Sequence, residues 1–499
     1  DQDIVSKLIN KRSDSEFLEL MANLGGHCVP TLCDAFNGIK DDKPTAFIAY
    51  TIKGWGTPLA GHKDNHAGLM TKIQMDSFKS KFGITEGNEW NSFLDAKEDL
   101  ELNEFIKNSP FQKARHRKYN SKKIPIDDII SITETKISTQ NAFGKILDQY
   151  AKNDTEFGNR IITTSPDVSV STNLGPWINK KGLFSRTDSS DTFRDRKIPS
   201  AQKWIFSSQG QHIELGIAEM NLFLMLGAAG LSHELFGERL FPIGTVYDPF
   251  IARGLDAMNY ACYQDARFMI VGTPSGVSLA PEGGAHQSIG TPLIGISQPG
   301  LLSYEPAFAD ELSIIMNYGF NYLQDENGGS VYLRLTTRSI EQPLREINHE
   351  LKHNVIKGGY WLRKPGPNPE IIIIYQGVVA SEAVEATALL GERFKDIGVL
   401  GITSSDNLFH DWKNKYLSNE KNNKNSHIED LLKIIPKDTK VVTVIDGHPM
   451  TLSWVGSVFG HKIIPLGVDK FGQTGSLNQL FSEFAIDSES ICNLGFNAN

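Results

Sequence analysis

Residues 214–231 read ELGIAEMNLFLMLGAAGL, a short polar start followed by a nearly continuous apolar run. The run is too long for a typical strand, so it predicts a buried helix over about residues 215–231. Glu219 then lies inside an apolar helix, where a carboxylate is costly unless it has a partner. A carboxyl group in such surroundings can hold or share a proton with the nitrogen of a bound ligand. The alternative is an ordinary glutamate on the polar face of a helix.

On either side of this segment, apolar strands alternate with helices, which predicts a largely parallel sheet with helices on both faces. Residues 131–345 form one α/β unit, whose first helix is capped by Ser138 or Thr139 and runs to about Tyr150. Residues 350–499 form another, in which Gly377 makes the turn from a strand into a helix. The strands of these two units are predicted at 160–164, 239–245, 267–272, 331–335, 371–375, 398–402 and 440–445.

Residues 1–80 hold a helix, a glycine turn at 25–27, a second helix and the apolar run TAFIAYT at 45–51. We expect this run to be a buried strand at the end of an α/β domain whose beginning is missing. Residues 81–130 are polar, with a basic segment at 113–123, and are predicted to be an inter-domain linker. The predicted fold is therefore α/β, with three parallel-sheet units of which the first is incomplete.

Composition excludes several classes of protein. The 499 residues carry a net charge of −9, with 40% apolar and 22% charged residues, which argues against a nucleic-acid-binding protein. No apolar run approaches the ~20 residues that span a bilayer, and the polar start of the sequence predicts no signal peptide. Four scattered cysteines fit a reducing compartment, so we expect a cytoplasmic protein. No cysteine or histidine spacing indicates a metal site.

Three further segments could carry chemistry. The glycines of PEGGAHQS (281–288) allow a tight turn that presents His286 to a cavity. TIKGWG (51–56) and the following loop place Lys53 where a strand end binds an anion. FPIGTVYDPF (241–250) places Tyr247 and Phe250 at a strand-to-helix turn, where they can stack on a flat ring. Each has a simpler interpretation, as a structural loop histidine, a surface loop or core packing.

Together and in this order, the motifs resemble the decarboxylating component of bacterial homodimeric pyruvate dehydrogenases, in the transketolase superfamily. The resemblance covers nearly the whole chain, is patchy in the linker and at 405–435, and extends more loosely to transketolase, whose GPTHQ element is similar to EGGAHQS. The motifs are GGH (25–27), TIKGWG (51–56), HKDNHAGLM (62–70), STQNAF (138–143), SPDVSVS (165–171), ELGIAEMN (214–221), FPIGTVYDPF (241–250), EGGAHQS (282–288) and LGVDKFGQTGS (466–476).

The resemblance implies a thiamine-diphosphate-binding, transketolase-like fold. Residues 1–80 would be the end of the diphosphate-binding domain with its active-site loop, 131–345 the pyrimidine-binding domain and 350–499 the C-terminal domain. Glu219 would hydrogen-bond the aminopyrimidine ring of thiamine diphosphate. His286 would point at the reacting centre and give a proton to the substrate oxygen.

The remaining site residues also come from the resemblance. Tyr247 and Phe250 would line the pyrimidine pocket, with the acidic Asp167 near that ring. His66, on the mobile active-site loop, would act in acyl transfer to a lipoyl group, and Lys53 would lie on the same side of the site. In this superfamily the two domains meet across a subunit interface, which implies a homodimer and a lipoyl-bearing acyltransferase as a further partner.

The chain departs from the family pattern in one respect. The family binds Mg²⁺ and the diphosphate through a GDG motif followed downstream by an asparagine, and this sequence has no such motif. Asp446-Gly447-His448 lies in the wrong domain to replace it. The metal ligands are therefore expected outside these residues, either upstream or on a partner chain that carries the missing N-terminal half.

The sequence thus favours oxidative decarboxylation of pyruvate or a related 2-oxo acid, of which 2-oxobutyrate is a credible competitor. One alternative is ketol transfer between sugar phosphates, for which Arg334 and Arg338 could bind a phosphate. Another is a non-catalytic subunit of a multienzyme complex, which the missing metal motif would permit.

Overall fold

The structure, a computed structural model, divides into two compact units, Asp1–Arg115 and His116–Asn499. Most of the predicted basic segment at 113–123 lies outside the residues that it describes. Among the residues that the structure describes, no helix is both long and apolar enough to cross a membrane. The described residues are 2–91, 100–109, 121–187, 195–198, 204–417 and 424–497.

The first unit consists of helices and loops. A capping box begins its second helix, with Ser13 accepting from the Glu16 N–H and the Glu16 carboxylate accepting from the Ser13 N–H, a pattern that satisfies two otherwise unpaired donors. The described part of this unit contains no strand. Its helices, α1 to α5, are Gln2–Asn10, Asp14–Ala22, Val29–Asn37, Lys72–Lys81 and Leu100–Asn108.

The strand predicted at 45–51 is therefore wrong for this structure. The segment has no regular secondary structure, and Ile48 and Tyr50 are 97% and 66% exposed. A strand is held by hydrogen bonds to a neighbouring strand, and the described residues of this unit offer none. The apolar pattern predicts that a segment should be buried, but it does not provide the strands that would bury it.

The second unit contains two larger sheets with helices packed on them. The strands, β1 to β15, are Lys136–Ile137, Ile161–Ser165, Leu183–Phe184, Phe206–Ser207, His212–Glu214, Phe241–Val246, Met269–Gly272, Leu301–Tyr304, Ser330–Arg334, Ile340–Glu341, Gly359–Arg363, Ile371–Gln376, Gly398–Ile402, Lys440–Ile445 and Ile463–Leu466. The α-helices, α6 to α19, are Thr139–Lys152, Gly175–Lys181, Glu219–Gly230, Ser232–Leu235, Leu255–Tyr263, Thr291–Ser297, Ala309–Tyr322, His349–Lys357, Ala380–Leu390, Ser405–Leu417, His427–Leu432, Met450–Ser453, Leu477–Glu483 and Ser488–Asn497.

The larger sheet is parallel, with the strand order β4-β3-β5-β2-β6-β7-β9-β8. Ser138 caps α6 by accepting from the Asn141 N–H, as predicted. Phe157 lies in the core beside this sheet, with its ring centroid 5.1 Å from that of Phe241 and 4.9 Å from that of Phe320. The α/β class predicted from alternating elements is confirmed.

The smaller sheet has the order β11-β13-β12-β14-β15. Its strands are parallel except β11, which runs antiparallel to β13. Gly377 follows β12 with φ of 70°, a left-handed conformation that favours glycine. A Cβ there would also lie 2.5 Å from the Glu305 carboxylate, so the turn must stay free of a side chain for the two sheets to meet.

A buried ionic cluster joins the two sheets. Arg334, at the end of β9, has a side chain only 2% exposed, and its Nε donates to Asp248 Oδ2 at 3.0 Å. Its Nη1 donates to Glu305, which also accepts from Gln376 Nε2 at 2.9 Å. Burial raises the pKa of Glu305, although Arg334 opposes that shift. The guanidinium thus links β9 to the segments that follow β6 and β8, and Glu305 extends the link to β12.

Two more buried carboxylates hold the same junction. Asp446, after β14, accepts from the backbone N–H groups of Val277 and Ser278 at 2.8 and 3.1 Å. Asp406, in α15, accepts from the Ser303 N–H at 2.9 Å. Burial raises the pKa of Asp406 to about 7, and it also raises that of Asp446. The smaller sheet therefore contacts the larger one through acidic groups whose burial disfavours their charged form.

Replacing Arg334 with methionine should lower the free energy of unfolding of the second unit by roughly 3–5 kcal/mol, because two carboxylates lose their buried counter-ion. Urea denaturation followed by tryptophan fluorescence measures the change. Arg363→Met, at an exposed arginine, is the matched control and should change stability by no more than about 0.5 kcal/mol. Equal losses of stability from the two substitutions would contradict the stabilising role of Arg334 in the buried cluster.

Asp406→Asn should alter how stability depends on pH. The folded protein keeps the Asp406 proton up to about pH 7, whereas the unfolded chain releases it near its ordinary pKa, so this group lowers stability as pH rises between those values. At about 1.4 kcal/mol per pH unit, the asparagine variant should gain on the order of 4 kcal/mol relative to wild type from pH 4 to 7. Free energies of unfolding measured from pH 4 to 7 test this prediction. Asp438→Asn, at an exposed aspartate, is the control. If the free energies of Asp406→Asn and wild type change in parallel with pH, the prediction is refuted.

Candidate active site

Candidate side chains follow four neighbouring strands of the larger sheet. Strands β5, β2, β6 and β7 lie side by side. Asp167 follows β2, Glu219 follows β5, Tyr247 follows β6 and His286 lies on the loop after β7. The carboxyl ends of parallel strands share one edge, and open α/β sheets bind ligands there. Four segments far apart in the sequence therefore reach the same edge.

Glu219 begins the apolar helix rather than lying inside it. The helix was predicted from residue 215, but α8 starts at Glu219. Gly216 has φ of 65° and Ala218 has φ of −154°, and neither conformation continues a helix. Glu219 therefore occupies the first turn, where the helix dipole favours a carboxylate. Its side chain is only 11% exposed.

The nearest charged partner of Glu219 is Arg253, which the sequence did not single out. Arg253 Nη1 lies 2.7 Å from Glu219 Oε1, and its guanidinium carbon lies 4.1 Å from the ring centroid of Phe250. The Phe250 ring stacks with Tyr247 at 6.0 Å between centroids and meets the edge of His286 at 5.3 Å. Predicted residues Glu219, Phe250, Tyr247 and His286 thus belong to one contact group.

Asp167 is attached to the same sheet edge through its backbone. It is exposed with φ of 65°, and its N–H donates to Glu214 Oε1 at 2.8 Å. Burial by itself raises the pKa of Glu214, but hydrogen bonds from His212, Ser169 and the Asp167 N–H leave that pKa below its usual value. Glu214 therefore stays ionised and fixes the turn after β2. Its place at the start of ELGIAEMN was the only sequence signal for this role.

The first unit brings Lys53 and His66 together. Lys53 Nζ lies 2.7 Å from His66 Nδ1, and because a lysine ammonium has only donors, the imidazole accepts there and keeps its proton on Nε2. The carbonyl of Lys53 accepts from Asn65 Nδ2 at 2.7 Å and from the Gly61 N–H at 3.0 Å. The candidate residues thus form two groups in separate units: Lys53 with His66, and Glu219 with its aromatic neighbours.

The chemistry of the site residues suits a bound heterocycle rather than a metal ion. A largely buried carboxylate that is linked through Arg253 to two stacked aromatic rings and a histidine suits a flat ring that carries hydrogen-bonding nitrogens. By contrast, the described residues contain no group of three or more histidine, cysteine, aspartate or glutamate side chains that could hold a metal ion. The residues present therefore fit the pyrimidine end of thiamine diphosphate but not Mg²⁺.

The two arginines suggested for a sugar phosphate already have partners. Arg334 is buried against Asp248 and Glu305. Arg338 makes a bidentate pair with Glu382, which is itself only 10% exposed, and lies 4.6 Å from the ring centroid of Phe481. Neither guanidinium is free to bind a phosphate without breaking an ion pair.

Two family matches cover most of the second unit. Residues 128–343 match the family described as "Pyruvate dehydrogenase E1 component middle domain", and residues 358–487 match "Transketolase-like TK C-terminal domain". This chain belongs to the transketolase superfamily. Within the superfamily it is similar to pyruvate dehydrogenase E1 components, in agreement with the motif order.

Curated relatives agree with this placement. The pyruvate dehydrogenase E1 component of Pseudomonas aeruginosa is 25% identical over 517 aligned positions, covering 96% of this chain and 57% of that protein. The Escherichia coli K12 protein of the same name is 24% identical, covering 94% of this chain and 55% of that protein. This superfamily member thus spans about half the length of the curated relatives that it matches.

Solved structures support the transketolase-like fold. Transketolase from Leishmania mexicana matches with a TM-score of 0.66 and 17% identity, covering 94% of this chain and 63% of that one. Transketolase from Campylobacter jejuni gives a TM-score of 0.66 at 16% identity, covering 93% of this chain and 65% of that one. At these identities the comparison establishes the fold alone.

The contact between Glu219 and Arg253 can be measured by a double-mutant cycle in thermal or urea unfolding. Because the carboxylate is largely buried and the guanidinium is 55% exposed, Glu219→Gln with Arg253→Gln should show a coupling of about 0.5–1 kcal/mol. The control is a cycle of Arg253→Gln with Glu238→Gln, because the exposed carboxylate of Glu238 pairs with Arg160 instead. In that cycle the changes in the free energy of unfolding should be additive. Additivity in both cycles would show that Arg253 does not hold Glu219.

Proposed function

We propose that this protein supplies the pyrimidine-binding side of a thiamine-diphosphate-dependent enzyme that decarboxylates pyruvate or a related 2-oxo acid and passes the acyl unit to a lipoyl group. The carrying observation is the largely buried carboxylate of Glu219 at the carboxyl edge of a parallel sheet. It pairs with Arg253, whose guanidinium lies over Phe250, and the Phe250 ring contacts Tyr247 and His286. The match of residues 128–343 to the middle domain of pyruvate dehydrogenase E1 supports this choice.

Glu219 has the central role in the proposal. Its carboxylate accepts a hydrogen bond from the aminopyrimidine ring and steers the proton state of that ring. When bound, thiamine diphosphate supplies an acceptor for the electron pair that CO₂ leaves behind. Tyr247 and Phe250 contact the ring through their aromatic faces, and Asp167 provides an acidic group near it.

The histidines serve two later events. His286, whose ring meets the edge of Phe250, gives a proton to the substrate oxygen. His66, held by Lys53 with its Nε2 proton free, acts in the transfer of the acyl unit to a lipoyl-bearing acyltransferase. Lys53 also places a positive charge beside this loop, where it attracts an anionic group.

The proposed enzyme is completed by other polypeptide. Mg²⁺ and the diphosphate are held by groups outside the described residues, on upstream residues or on a chain that carries the missing N-terminal half. We also propose a homodimer. Helix α8 is apolar on its outer side as well, where Met220 and Leu224 are 41% and 59% exposed, and a helix that is apolar all round is normally covered.

Two other functions are less well supported. Ketol transfer between sugar phosphates draws on the transketolase-like fold, but Arg334 and Arg338 are both held in ion pairs. A non-catalytic subunit of a multienzyme complex would be compatible with the lack of a metal cluster in the described residues. Such a subunit has no chemical need for a buried carboxylate at the ligand-binding edge.

Release of labelled CO₂ from [1-¹⁴C]pyruvate by the intact protein, with thiamine diphosphate and Mg²⁺ added, tests the proposal. We expect release of CO₂ and no sedoheptulose 7-phosphate from xylulose 5-phosphate and ribose 5-phosphate. Glu219→Gln should lower kcat about 100-fold or more, because a positioned acid–base group contributes roughly that much. Glu350→Gln, at an exposed glutamate, should leave kcat unchanged.

Near-normal turnover in Glu219→Gln would refute the role of that carboxylate. Ketol transfer without CO₂ release would replace the proposed activity with the transketolase reaction. Calorimetric titration of the intact protein with thiamine diphosphate and Mg²⁺ separates a catalytic from a scaffolding subunit, since only the former should bind the cofactor, and more weakly after Glu219→Gln.

A further inference from the structure

The ring of His286 depends for its position on the loop that carries it, residues 281–290. It meets the edges of the Phe250 and Tyr247 rings, with 5.3 and 6.3 Å between centroids. The place of a histidine's proton is normally set by a hydrogen bond at the other ring nitrogen. The described residues offer the ring nitrogens of His286 no such bond. The backbone of the loop therefore sets where this ring lies.

The part of the loop after the histidine is anchored by Ser288, which is 3% exposed. Its hydroxyl accepts from the Gly276 N–H at 2.9 Å and from Arg334 Nη2 at 3.1 Å. Because Arg334 belongs to the buried ionic cluster, this end of the loop cannot shift without breaking that cluster. The support of the residues just before Ser288 comes from elsewhere in the same unit.

A second loop, residues 467–475, packs against the part of the His286 loop that contains the histidine. It joins β15 of the smaller sheet to α18. Gln287 Nε2 donates to the Gln473 carbonyl at 2.9 Å, and Gln287 is only 4% exposed. The residue that follows His286 is therefore held by a loop of the smaller sheet.

Two glycines show how closely these loops approach each other. Gly283 has φ of 66° and ψ of −177°, a conformation that is essentially restricted to glycine, and a Cβ on it would overlap Thr474 Oγ1. The backbone of Gly472 lies outside the left-handed region, yet a Cβ there would overlap Gln287 Oε1 and lie 2.7 Å from Gln287 Cβ. The contact has no room for even one methyl group on either side.

The 467–475 loop is itself fixed at both ends. The N–H of Val468, a fully buried residue, donates to the Gly447 carbonyl at 2.7 Å. Beyond the other end, Ser476 caps α18 by accepting from the Gln479 N–H at 3.4 Å. A loop that is held at both ends can transmit a fixed position to whatever packs on it.

This contact is not needed to join the two sheets. They already meet through Arg334 with Glu305, and through Asp446, which accepts from the Val277 N–H at 2.8 Å. Those groups are buried and charged, whereas the 467–475 loop adds one hydrogen bond and close packing beside a single histidine. Weakening it should therefore loosen the His286 loop more than it destabilises the unit.

We propose that the 467–475 loop positions His286 for proton transfer, with Gln287 and Gly472 as the positioning residues. This inference rests on the proposed function, which makes His286 the group that gives a proton to the substrate oxygen. A proton donor works only within hydrogen-bond reach of its acceptor, and a shift of about 1 Å can cost roughly 100-fold in rate. The smaller sheet thus takes part in the reaction through the histidine that it supports.

Hydrogen–deuterium exchange of the intact protein, read by mass spectrometry, tests the support of the loop. The N–H groups of His286 and Gln287 donate within the loop at 3.1 and 3.3 Å. Gly472→Ala inserts a methyl group against Gln287 without backbone strain, so exchange across 283–289 should rise about tenfold as the loop opens. The matched control is Gly475→Ala in the same loop, where the nearest atom to the new Cβ is 3.4 Å away, and it should leave exchange unchanged.

Gln287→Met provides a second variant that does not depend on inserting a group. It keeps nearly the same volume but removes the donor to Gln473. Exchange across 283–289 should rise in this variant as well. The midpoint of thermal unfolding, measured for each variant, shows that the unit remains folded.

A double-mutant cycle in kcat for CO₂ release from pyruvate tests whether the loop acts through His286. Gly472→Ala should lower kcat about 10- to 100-fold, because the histidine is displaced but still present. His286→Ala should lower it about 100-fold or more. Adding Gly472→Ala to His286→Ala should then change kcat by no more than about twofold, because residues that act as a unit are not additive.

Unchanged exchange in both Gly472→Ala and Gln287→Met would overturn the proposal. Additive losses of kcat in the cycle would also overturn it, because a general loss of folded protein lowers kcat equally in either background. The exchange measurement needs no cofactor and no turnover. A loosened loop in a protein that releases no CO₂ would therefore count against the proposed function alone, whereas CO₂ release with an unchanged loop would count against the positioning alone.

Discussion

The buried guanidinium of Arg334 is the constraint on which the rest of the second unit depends. Its partner Asp248 also accepts hydrogen bonds from Ser288, Thr291 and Tyr332. Asp248 stands next to Tyr247 at the start of the aromatic turn, and Ser288 lies two residues after His286 on a different loop. One ion pair therefore holds both loops of the candidate site, and through Glu305 it also holds the smaller sheet. Such clusters need every member, since a buried charge without its partner is strongly destabilising.

Regular elements could be predicted where a strand or helix is buried on all sides by its own unit. The strands Gly398–Ile402 and Lys440–Ile445 have the predicted bounds, and the strand predicted at 160–164 is Ile161–Ser165. In these segments, short apolar runs and turn residues indicate the same structure. The prediction for 45–51 failed because the same apolar pattern lies in a unit whose described residues provide no neighbouring strand.

The residues of the candidate site could be predicted from the sequence, but their arrangement in space could not. Glu219, Tyr247, Phe250 and His286 are recognisable from motifs, but their proximity depends on β5, β2, β6 and β7 being neighbours, and strand order cannot be read from the sequence. Arg253 escaped notice because it lies 34 positions from Glu219 in the chain. The start of α8 was misplaced because the apolar run continues through Gly216, whose positive φ ends any helix there.

The pairing of Glu219 with Arg253 has a consequence for ligand entry. The carboxylate accepts from the guanidinium of Arg253, so a heterocycle that binds it must displace this group, which is 55% exposed and can turn into water. The edge therefore favours a ligand whose ring offers an N–H donor, because that donor takes the place of the guanidinium at this carboxylate.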